Sequence, residues 1–227
     1  MHHAVHVTVD SPLNAPWALG ERAYSHVLRH LRAIDARTVI ELGSGASTAA
    51  LARDLPDTTI FSVDDDATYF ARTRAQLPAN ASVELVHRPL VWQRHGGAPY
   101  LSYELGTIPR AVDALLVDGP PHWTRRGREA CLYQTMPSLE VGARIFLDDY
   151  RRAAEQRTVR NWLGAYPNAL RLIEVIEEGD HVAVLEKTAE ATAPRPTYRR
   201  RADAHLQAAL QPLTSRVRRI ALRSRGR

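Results

Sequence analysis

The apolar positions of this chain recur with two alternating spacings, which predict strands and helices in turn. Short apolar runs predict five strands, at residues 38–42, 59–63, 82–87, 114–117 and 144–147. Apolar residues at helical spacing lie before, between and after them, and the predicted helices cover residues 24–31, 47–54, 67–76, 126–136 and 151–163. Short buried strands separated by helices are typical of a parallel sheet covered on both faces.

The end of this pattern differs from the rest. Residues 170–177 and 181–186 flank the turn Glu178-Gly179-Asp180 and predict an antiparallel β-hairpin. The segment from Gly96 to Pro109 is rich in glycine and proline, and we expect it to be irregular. The predicted fold class is therefore α/β, with a doubly wound, Rossmann-like, mostly parallel sheet that ends in an antiparallel hairpin.

Length and composition suit one such domain with a smaller appendage. The chain has 227 residues, of which 44% are hydrophobic, enough for one sizeable core. There is no run of 18 apolar residues that could span a membrane, and the first residues lack the apolar core of a secretory signal. Cys131 is the single cysteine, which predicts a chain without internal disulfides. We therefore expect a cytoplasmic protein, and the use of arginine in place of lysine favours a bacterial source.

The net charge of +5 is unevenly distributed. From Ala191 onward there are ten arginines and one acidic residue, so this part carries +9 and the preceding residues carry −4. We divide the chain into a folded domain, residues 1–190, and a Pro/Arg-rich linker with a basic helical tail, residues 191–227. The apolar residues that predict an amphipathic helix in the tail, interrupted at Pro212, are Leu206, Leu210, Leu213, Val217 and Ile220.

Several roles of the basic tail stay open at this point. The helix can dock on the domain, or it can form a homodimer contact with a second copy. It can also lie on the anionic inner face of a membrane, where each arginine near the surface contributes about 1 kcal/mol. A disordered tail is the remaining alternative.

A glycine-rich turn after the first predicted strand is the most informative motif. Glu41 is followed by Gly43-Ser44-Gly45 and then by a predicted helix. Because glycine has no Cβ, such a turn lets backbone N–H groups approach a nucleotide-like ligand. About twenty residues further on, the second strand ends at Asp64 and Asp65, where a carboxylate can accept hydrogen bonds from ribose hydroxyls. The alternative is that these acids cap the next helix.

These features resemble the class I S-adenosylmethionine-dependent methyltransferases. The likeness lies in the acid two residues before Gly-x-Gly, the acid that ends strand two, and the closing hairpin. Thr48 stands where a dinucleotide-binding fold has its third glycine. The resemblance implies S-adenosylmethionine as cofactor, with Glu41 toward its amino-acid end and Asp64 on its ribose. The cofactor-binding residues that it implies are Glu41, Gly43, Ser44, Gly45, Thr48, Asp64, Asp65 and Asp118.

Carboxylates also end the fourth and fifth predicted strands. Asp118 follows one and Asp148-Asp149 follow the other, so adjacent strand ends would bring them together. Clustered carboxylates repel one another, and a divalent cation with oxygen ligands relieves the repulsion. The alternative is that Asp118 starts a turn, Asp149 caps a helix and no metal binds. His122, which follows Pro120-Pro121, is a candidate general base because its reference pKa lies near neutrality.

This layout resembles the metal-dependent small-molecule O-methyltransferases. By that likeness Asp118, Asp148 and Asp149 would hold Mg²⁺ or another divalent cation, which would bind the acceptor hydroxyl. A finer resemblance is to polysaccharide O-methyltransferases of the glucuronoxylan type, with Asp148 in place of that family's histidine. It rests on Asp118-Gly119-Pro120, Gly127-Arg128, Leu132-Tyr133, Asp149, Arg152 and Glu155. The resemblance implies an O-methyltransferase acting on a sugar or glycan hydroxyl, and our catalytic candidates are His122, Asp118 and Asp149.

Other functions remain open. Amino-methyltransferases of nucleic-acid bases place Asp or Asn before Pro-Pro-aromatic, and Gly119-Pro120-Pro121-His122 departs from this at both ends, although the basic tail suits a polyanion. An NAD-dependent oxidoreductase would need the third glycine, and a non-catalytic scaffold would bind no cofactor. Arg126, Arg128, Arg151 and Arg152 either position acidic or phosphorylated sugars or form helix-surface charge.

Overall fold

The computed structural model describes Leu13 and residues 19–191, 193–195 and 201–212. The strands are β1 (Thr38–Leu42), β2 (Thr59–Asp64), β3 (Val83–His87), β4 (Leu90–His95), β5 (Ala98–Tyr103), β6 (Val112–Val117), β7 (Leu139–Leu147), β8 (Leu170–Ile176) and β9 (Val182–Lys187). The helices are α1 (Glu21–Ala33), α2 (Ala46–Asp54), α3 (Ala67–Gln76), α4 (Gly127–Thr135) and α5 (Ala153–Ala165). Residues 201–212 form a further helix, here called the C-terminal helix.

Seven strands form one sheet in the order β3-β2-β1-β6-β7-β9-β8. The first five strands of that order pair in parallel, while β9 is antiparallel to both β7 and β8. The strand order reverses between β1 and β6, so their carboxyl ends flank the crevice in which ligands bind in such sheets. The predicted doubly wound sheet and closing hairpin are confirmed.

Apolar side chains on both faces of the sheet explain its two covering layers. In β1, Val39 belongs to the core that includes residues of α1 and α2, whereas Ile40 and Leu42 belong to the core formed with β5, α4 and α5. Successive strand residues point to opposite faces. This alternation places Glu41 on the same face as Val39, toward α2.

The segment after β3 differs from the prediction, because it folds into an antiparallel hairpin of β4 and β5. Gly96 and Gly97 form the turn, with φ values of 56° and 80° that glycine adopts without strain. Pro99 within β5 and the polar residues of β4 hide the strand period in the sequence. Pro99 is tolerated because both strands of a two-stranded sheet are edge strands, where a missing N–H donor costs few ladder hydrogen bonds.

The boundaries of β7 also differ from the prediction. This strand begins at Leu139 and not at residue 144. Its pairing with β6 shifts register between Val112 and Ala114, and Gly142 has φ 94° within it. Glu140 and Gly142 interrupt the apolar run, which is why the sequence pattern predicts only the last part of the strand.

The C-terminal helix docks on the domain along residues 201–212. Ala204 is 1% exposed and joins the core that contains α4 and α5. Leu213, Val217 and Ile220 of the predicted apolar stripe lie outside the described residues, and the homodimer and membrane contacts stay predictions. Throughout the described part of the chain, no helix is long and apolar enough to cross a bilayer.

Lys187 is the one lysine of the chain and has no exposed surface. Its Nζ donates to the carbonyl oxygens of Leu139 at 2.5 Å and Met136 at 3.4 Å, and it pairs with Glu190 at 3.0 Å. These bonds satisfy a buried ammonium and fix the end of β9 to the connection between α4 and β7.

Candidate active site

The ends of β1 and β6 touch each other at Gly43 and Gly119. Gly43 has φ +101°, and a Cβ on it would lie 2.6 Å from the Gly119 nitrogen. The backbone conformation and the lack of space both exclude a side chain there. The Gly119 N–H donates to the Leu42 carbonyl at 2.6 Å, which holds the two strand ends together. The contact between these strand ends therefore requires glycine at position 43.

Gly45 has a different environment. Its backbone is extended, and a Cβ on it would meet no atom of the described part of the chain within 4 Å. The turn is therefore open on this side, and a ligand has room to lie against its backbone. This open side is the feature that a cofactor at the predicted position requires.

Glu41 organises the turn from within the protein. It is completely buried, and its carboxylate accepts hydrogen bonds from the hydroxyls of Ser47 at 2.6 Å, Thr48 at 2.5 Å and Ser62 at 2.7 Å. Burial raises the pKa of Glu41 to about 7, although the three hydroxyls oppose the shift. The Thr48 hydroxyl also accepts the Gly45 N–H at 2.9 Å, so Glu41 shapes the turn through Thr48. Direct contact of either residue with a cofactor stays a prediction.

Asp64 joins the turn to β2. One carboxylate oxygen accepts the Ser44 N–H at 2.9 Å and the Ser44 hydroxyl at 2.8 Å, and the other accepts the Asp66 N–H at 2.8 Å. Asp66, and not Asp64, caps α3, because its side chain accepts the N–H groups of Thr68 and Tyr69. Burial raises the pKa of Asp64. Asp65 is half-buried, and its carbonyl oxygen lies 3.2 Å from His87 Nε2. Asp64 thus lies beside the open turn, where its predicted ribose role would place it.

Asp118, Asp148 and Asp149 come together as predicted. Each offers a carboxylate oxygen, and these oxygens lie within 4.8 Å of one another. The reason is the parallel pairing of β6 and β7, which sets Val117 beside Leu147 and so brings the two strand ends to one edge. We call these three residues the acidic cluster.

Arg128 lies in the first turn of α4 and reaches into the acidic cluster. Its guanidinium is 2.8 Å from an Asp149 oxygen and 3.3 Å from an Asp118 oxygen. It also donates to the backbone carbonyls of Pro120 and Asp148, each at 3.3 Å, and to that of Asp118. Arg128 is 7% exposed, so it acts as an internal cation and does not fit a direct sugar contact.

Glu155, at the start of α5, adds a fourth carboxylate to this region. Its Oε1 lies 3.9 Å from Arg128, and its Oε2 is buried without a hydrogen-bond partner among the described residues. Arg152 pairs with Asp149 at 2.6 Å and is about half exposed. Four carboxylates therefore face two guanidinium groups, which leaves two negative charges when all are ionised. Burial raises the pKa of Glu155 and Asp118, and burial with repulsion from Asp118 raises that of Asp148.

The remaining candidates occupy less central positions. His122 is exposed and begins a single 3-10 turn, His122–Thr124, so its role as general base stays a prediction. Arg126 is buried in an ion pair with Glu129, which does not fit a sugar contact. Arg151 is exposed at the start of the segment leading to α5.

The internal role of Arg128 was missed in the sequence. Gly127-Arg128 carried the likeness to the polysaccharide enzymes, but nothing in the spacing tells whether an arginine on α4 points outward or into the sheet edge. The spacing of Asp149, Arg152 and Glu155 did contain a signal, since residues three apart share one face of a turn.

Comparison with solved structures identifies the fold. A methyltransferase of Podospora anserina, solved with SAH bound, is 14% identical, with a TM-score of 0.58 over 81% of this chain and 90% of that chain. An O-methyltransferase of Thermotoga maritima is 14% identical, with a TM-score of 0.52 over 76% and 67%. An rRNA methylase of Streptococcus thermophilus is 16% identical, with a TM-score of 0.51 over 81% and 100%. No model of a known protein family matches the chain, and no curated protein does.

The chain has the fold of the class I S-adenosylmethionine-dependent methyltransferases. The three structures named above carry different descriptions, an O-methyltransferase and an rRNA methylase among them. The fold by itself therefore does not identify the methyl acceptor.

Proposed function

We propose that this protein is an S-adenosylmethionine-dependent O-methyltransferase whose acceptor is a hydroxyl of a sugar or glycan. The observation that carries the proposal is the joining of two sites at one sheet edge. The open glycine turn ends β1, the acidic cluster ends β6 and β7, and the Gly43–Gly119 contact sets them side by side. A methyl donor and its acceptor need this proximity.

The glycine turn fits the cofactor. The backbone at Ser44 and Gly45 would lie against it, and Asp64 would accept hydrogen bonds from its ribose. The empty space beside Gly45 supports this assignment. S-adenosylmethionine would supply a methyl group on a sulfonium cation, and the carboxylates of this region favour a cation electrostatically.

A divalent cation such as Mg²⁺ fits the acidic cluster. Asp118, Asp148 and Asp149 offer hard oxygen donors within 4.8 Å of one another. A bound cation would also neutralise the two negative charges that remain in excess when all four carboxylates are ionised, and the Glu155 oxygen that has no partner among the described residues adds a further donor. The cation would supply Lewis-acid activation of the acceptor hydroxyl. His122, four residues after Asp118, would accept the hydroxyl proton.

The charge network supports a sugar acceptor. Asp118, Arg128, Asp149, Arg152 and Glu155 carry the likeness to the polysaccharide O-methyltransferases, and they lie in three separate parts of the chain. Ion pairs nonetheless connect all five around Arg128 and Asp149. Such convergence is expected if the motif serves one site.

Methyl transfer to fractionated cell material tests the proposal. The full chain is incubated with labelled S-adenosylmethionine and with glycans, lipids or RNA, with and without chelator. We expect label in glycans, reduced after metal removal. Label found solely in lipid or RNA would contradict the glycan acceptor, and full activity after metal removal would contradict the metal.

A nucleic-acid methyltransferase is the second candidate, favoured by the +9 charge from Ala191 onward. Phosphate contacts through arginines make binding fall steeply with salt. Label in RNA together with salt-sensitive RNA binding would support this candidate against the glycan.

A further inference from the structure

The loop between β6 and α4, residues 118–126, connects the candidate active site to the C-terminal helix. It begins with Asp118 of the acidic cluster and carries His122 on its single turn. Arg125 and Arg126 close the loop immediately before α4 begins. Both of these arginines contact the C-terminal helix, which is distant in sequence.

Arg126 is held between two carboxylates. Its guanidinium bonds Glu129 of α4, with Nε at 2.7 Å, and pairs with Asp203 of the C-terminal helix at 3.2 Å. Arg126 is 5% exposed, and a buried cation that loses a counter-charge is strongly disfavoured. Asp203 thus contributes half of the charge that keeps this end of the loop in place.

Arg125 links the helix directly to the turn that bears His122. Its side chain donates to Gln207 Oε1 at 2.8 Å. Its backbone N–H donates to the His122 carbonyl at 3.0 Å and closes the turn. A displacement of Arg125 therefore displaces His122.

The C-terminal helix is itself fixed by other contacts. Ala204 is buried in the core, and Asp203 also pairs with Arg157 of α5 at 3.8 Å. The Arg201 guanidinium packs over Gly97 in the turn of the β4–β5 hairpin, where a Cβ would collide with it. Contacts to α5, the hairpin and the core therefore hold the helix against the domain, beside the loop.

We propose that the C-terminal helix positions the 118–126 loop for methyl transfer, with Asp203 and Gln207 as positioning residues. The inference rests on the proposed function, because that function assigns proton transfer to His122. Without the contacts to Gln207 and Asp203, the side chains of Arg125 and Arg126 lose their partners on the C-terminal helix. His122 then no longer keeps a single orientation toward the acceptor.

Amide hydrogen exchange and kinetics on the full chain test this role. In the double variant Asp203→Ala/Gln207→Ala, we expect exchange in residues 119–127 to rise roughly 5- to 30-fold, the effect of losing one or two contacts. We expect kcat to fall between about 10- and 100-fold, since small misplacements are costly in catalysis. We expect the dissociation constant for S-adenosylmethionine to stay unchanged, because the lost contacts are at Arg125 and Arg126, at the other end of the loop from Asp118 and Gly119.

Two further variants separate positioning from general damage. Asp203→Glu, with Gln207 unaltered, keeps the charge and should retain most of the kcat that the double variant loses. His205→Ala, an exposed change on the same helix, should leave both the loop exchange and the kcat unchanged. Unchanged exchange at 119–127, an equal rise along the whole chain, or a normal kcat despite faster loop exchange would each overturn the proposal. If the unaltered chain transfers no methyl group, the proposed function fails, and the exchange result alone decides whether the helix holds the loop.

Discussion

Replacement of Arg128 by glutamine should destabilise the protein in a pH-dependent way. Arg128 lies 2.8 Å from Asp149 and 3.3 Å from Asp118. Opposite charges 4 Å apart attract by about 4 kcal/mol at an effective dielectric constant near 20, and desolvation of the guanidinium offsets much of the gain. Removal of one partner from a buried ion pair costs about 3–5 kcal/mol, because the other charge stays buried. We expect a loss of this size for Arg128→Gln at pH 8.

The loss should be smaller at pH 5. The pKa values of Asp118 and Asp148 are raised in the folded chain, so these carboxyls bind more protons folded than unfolded. Their contribution to stability is complete below the unfolded pKa of about 4 and is lost as the pH rises through the folded pKa. Arg128 opposes the upward shift, and its removal steepens this dependence.

Urea unfolding of Arg128→Gln from pH 5 to pH 8, with chelator present, measures the effect. Arg151→Gln is the matched control, since Arg151 is exposed, and it should change the free energy of unfolding by less than about 0.5 kcal/mol. An equal loss for Arg128→Gln at every pH would show that repulsion among the carboxylates is not the cause.

Five other replacements have distinct expected outcomes. Gly43→Ala should lower the melting temperature, because φ is +101° and the Cβ would lie 2.6 Å from a backbone nitrogen. Gly45→Ala should leave the melting temperature unchanged and weaken S-adenosylmethionine binding in calorimetry. Equal melting temperatures for the two variants would contradict the close contact at Gly43. Glu41, with a pKa of about 7, contributes stability that is complete below about pH 4.5 and is lost as the pH rises through about 7. In unfolding titrations, Glu41→Gln should therefore remove on the order of 3 kcal/mol of the stability change between these pH values. An unchanged pH dependence would show that another group causes it. Asp64→Ala should weaken cofactor binding, while His122→Ala should spare binding and lower kcat about 10²–10⁴-fold; equal binding losses in both would overturn these roles.

The regular part of the fold could be predicted from the sequence because its strands are apolar on both faces. The strand at residues 38–42 and the helix at 67–76 have the predicted bounds in the structure. The β4–β5 hairpin could not be predicted in this way, since Pro99 and the consecutive polar residues Gln93-Arg94-His95 remove the strand period. Gly96-Gly97 was a usable signal, because two adjacent glycines suit a two-residue hairpin turn.

The site could be predicted as far as the strand ends determine it. Asp118, Asp148 and Asp149 meet because parallel neighbours end at one edge, a consequence of topology alone. The position of Arg128 depends on how α4 is rotated and packed against the sheet. The spacing of residues along the chain does not determine that orientation. Helix capping was the alternative role for the acids that end the second strand. The hydrogen bonds of the folded chain assign it to Asp66, while Asp64 bonds the glycine turn.

Because Lys187 is buried, chemical modification of its amine can report unfolding of the protein. Amine-directed acylating reagents find no accessible lysine side chain in the folded chain, because the single Nζ is enclosed and bonded to three oxygens. Acylation at that residue requires an opening that exposes the end of β9. One mass increment on one peptide, followed over time, therefore measures the population of opened chains without any engineered label.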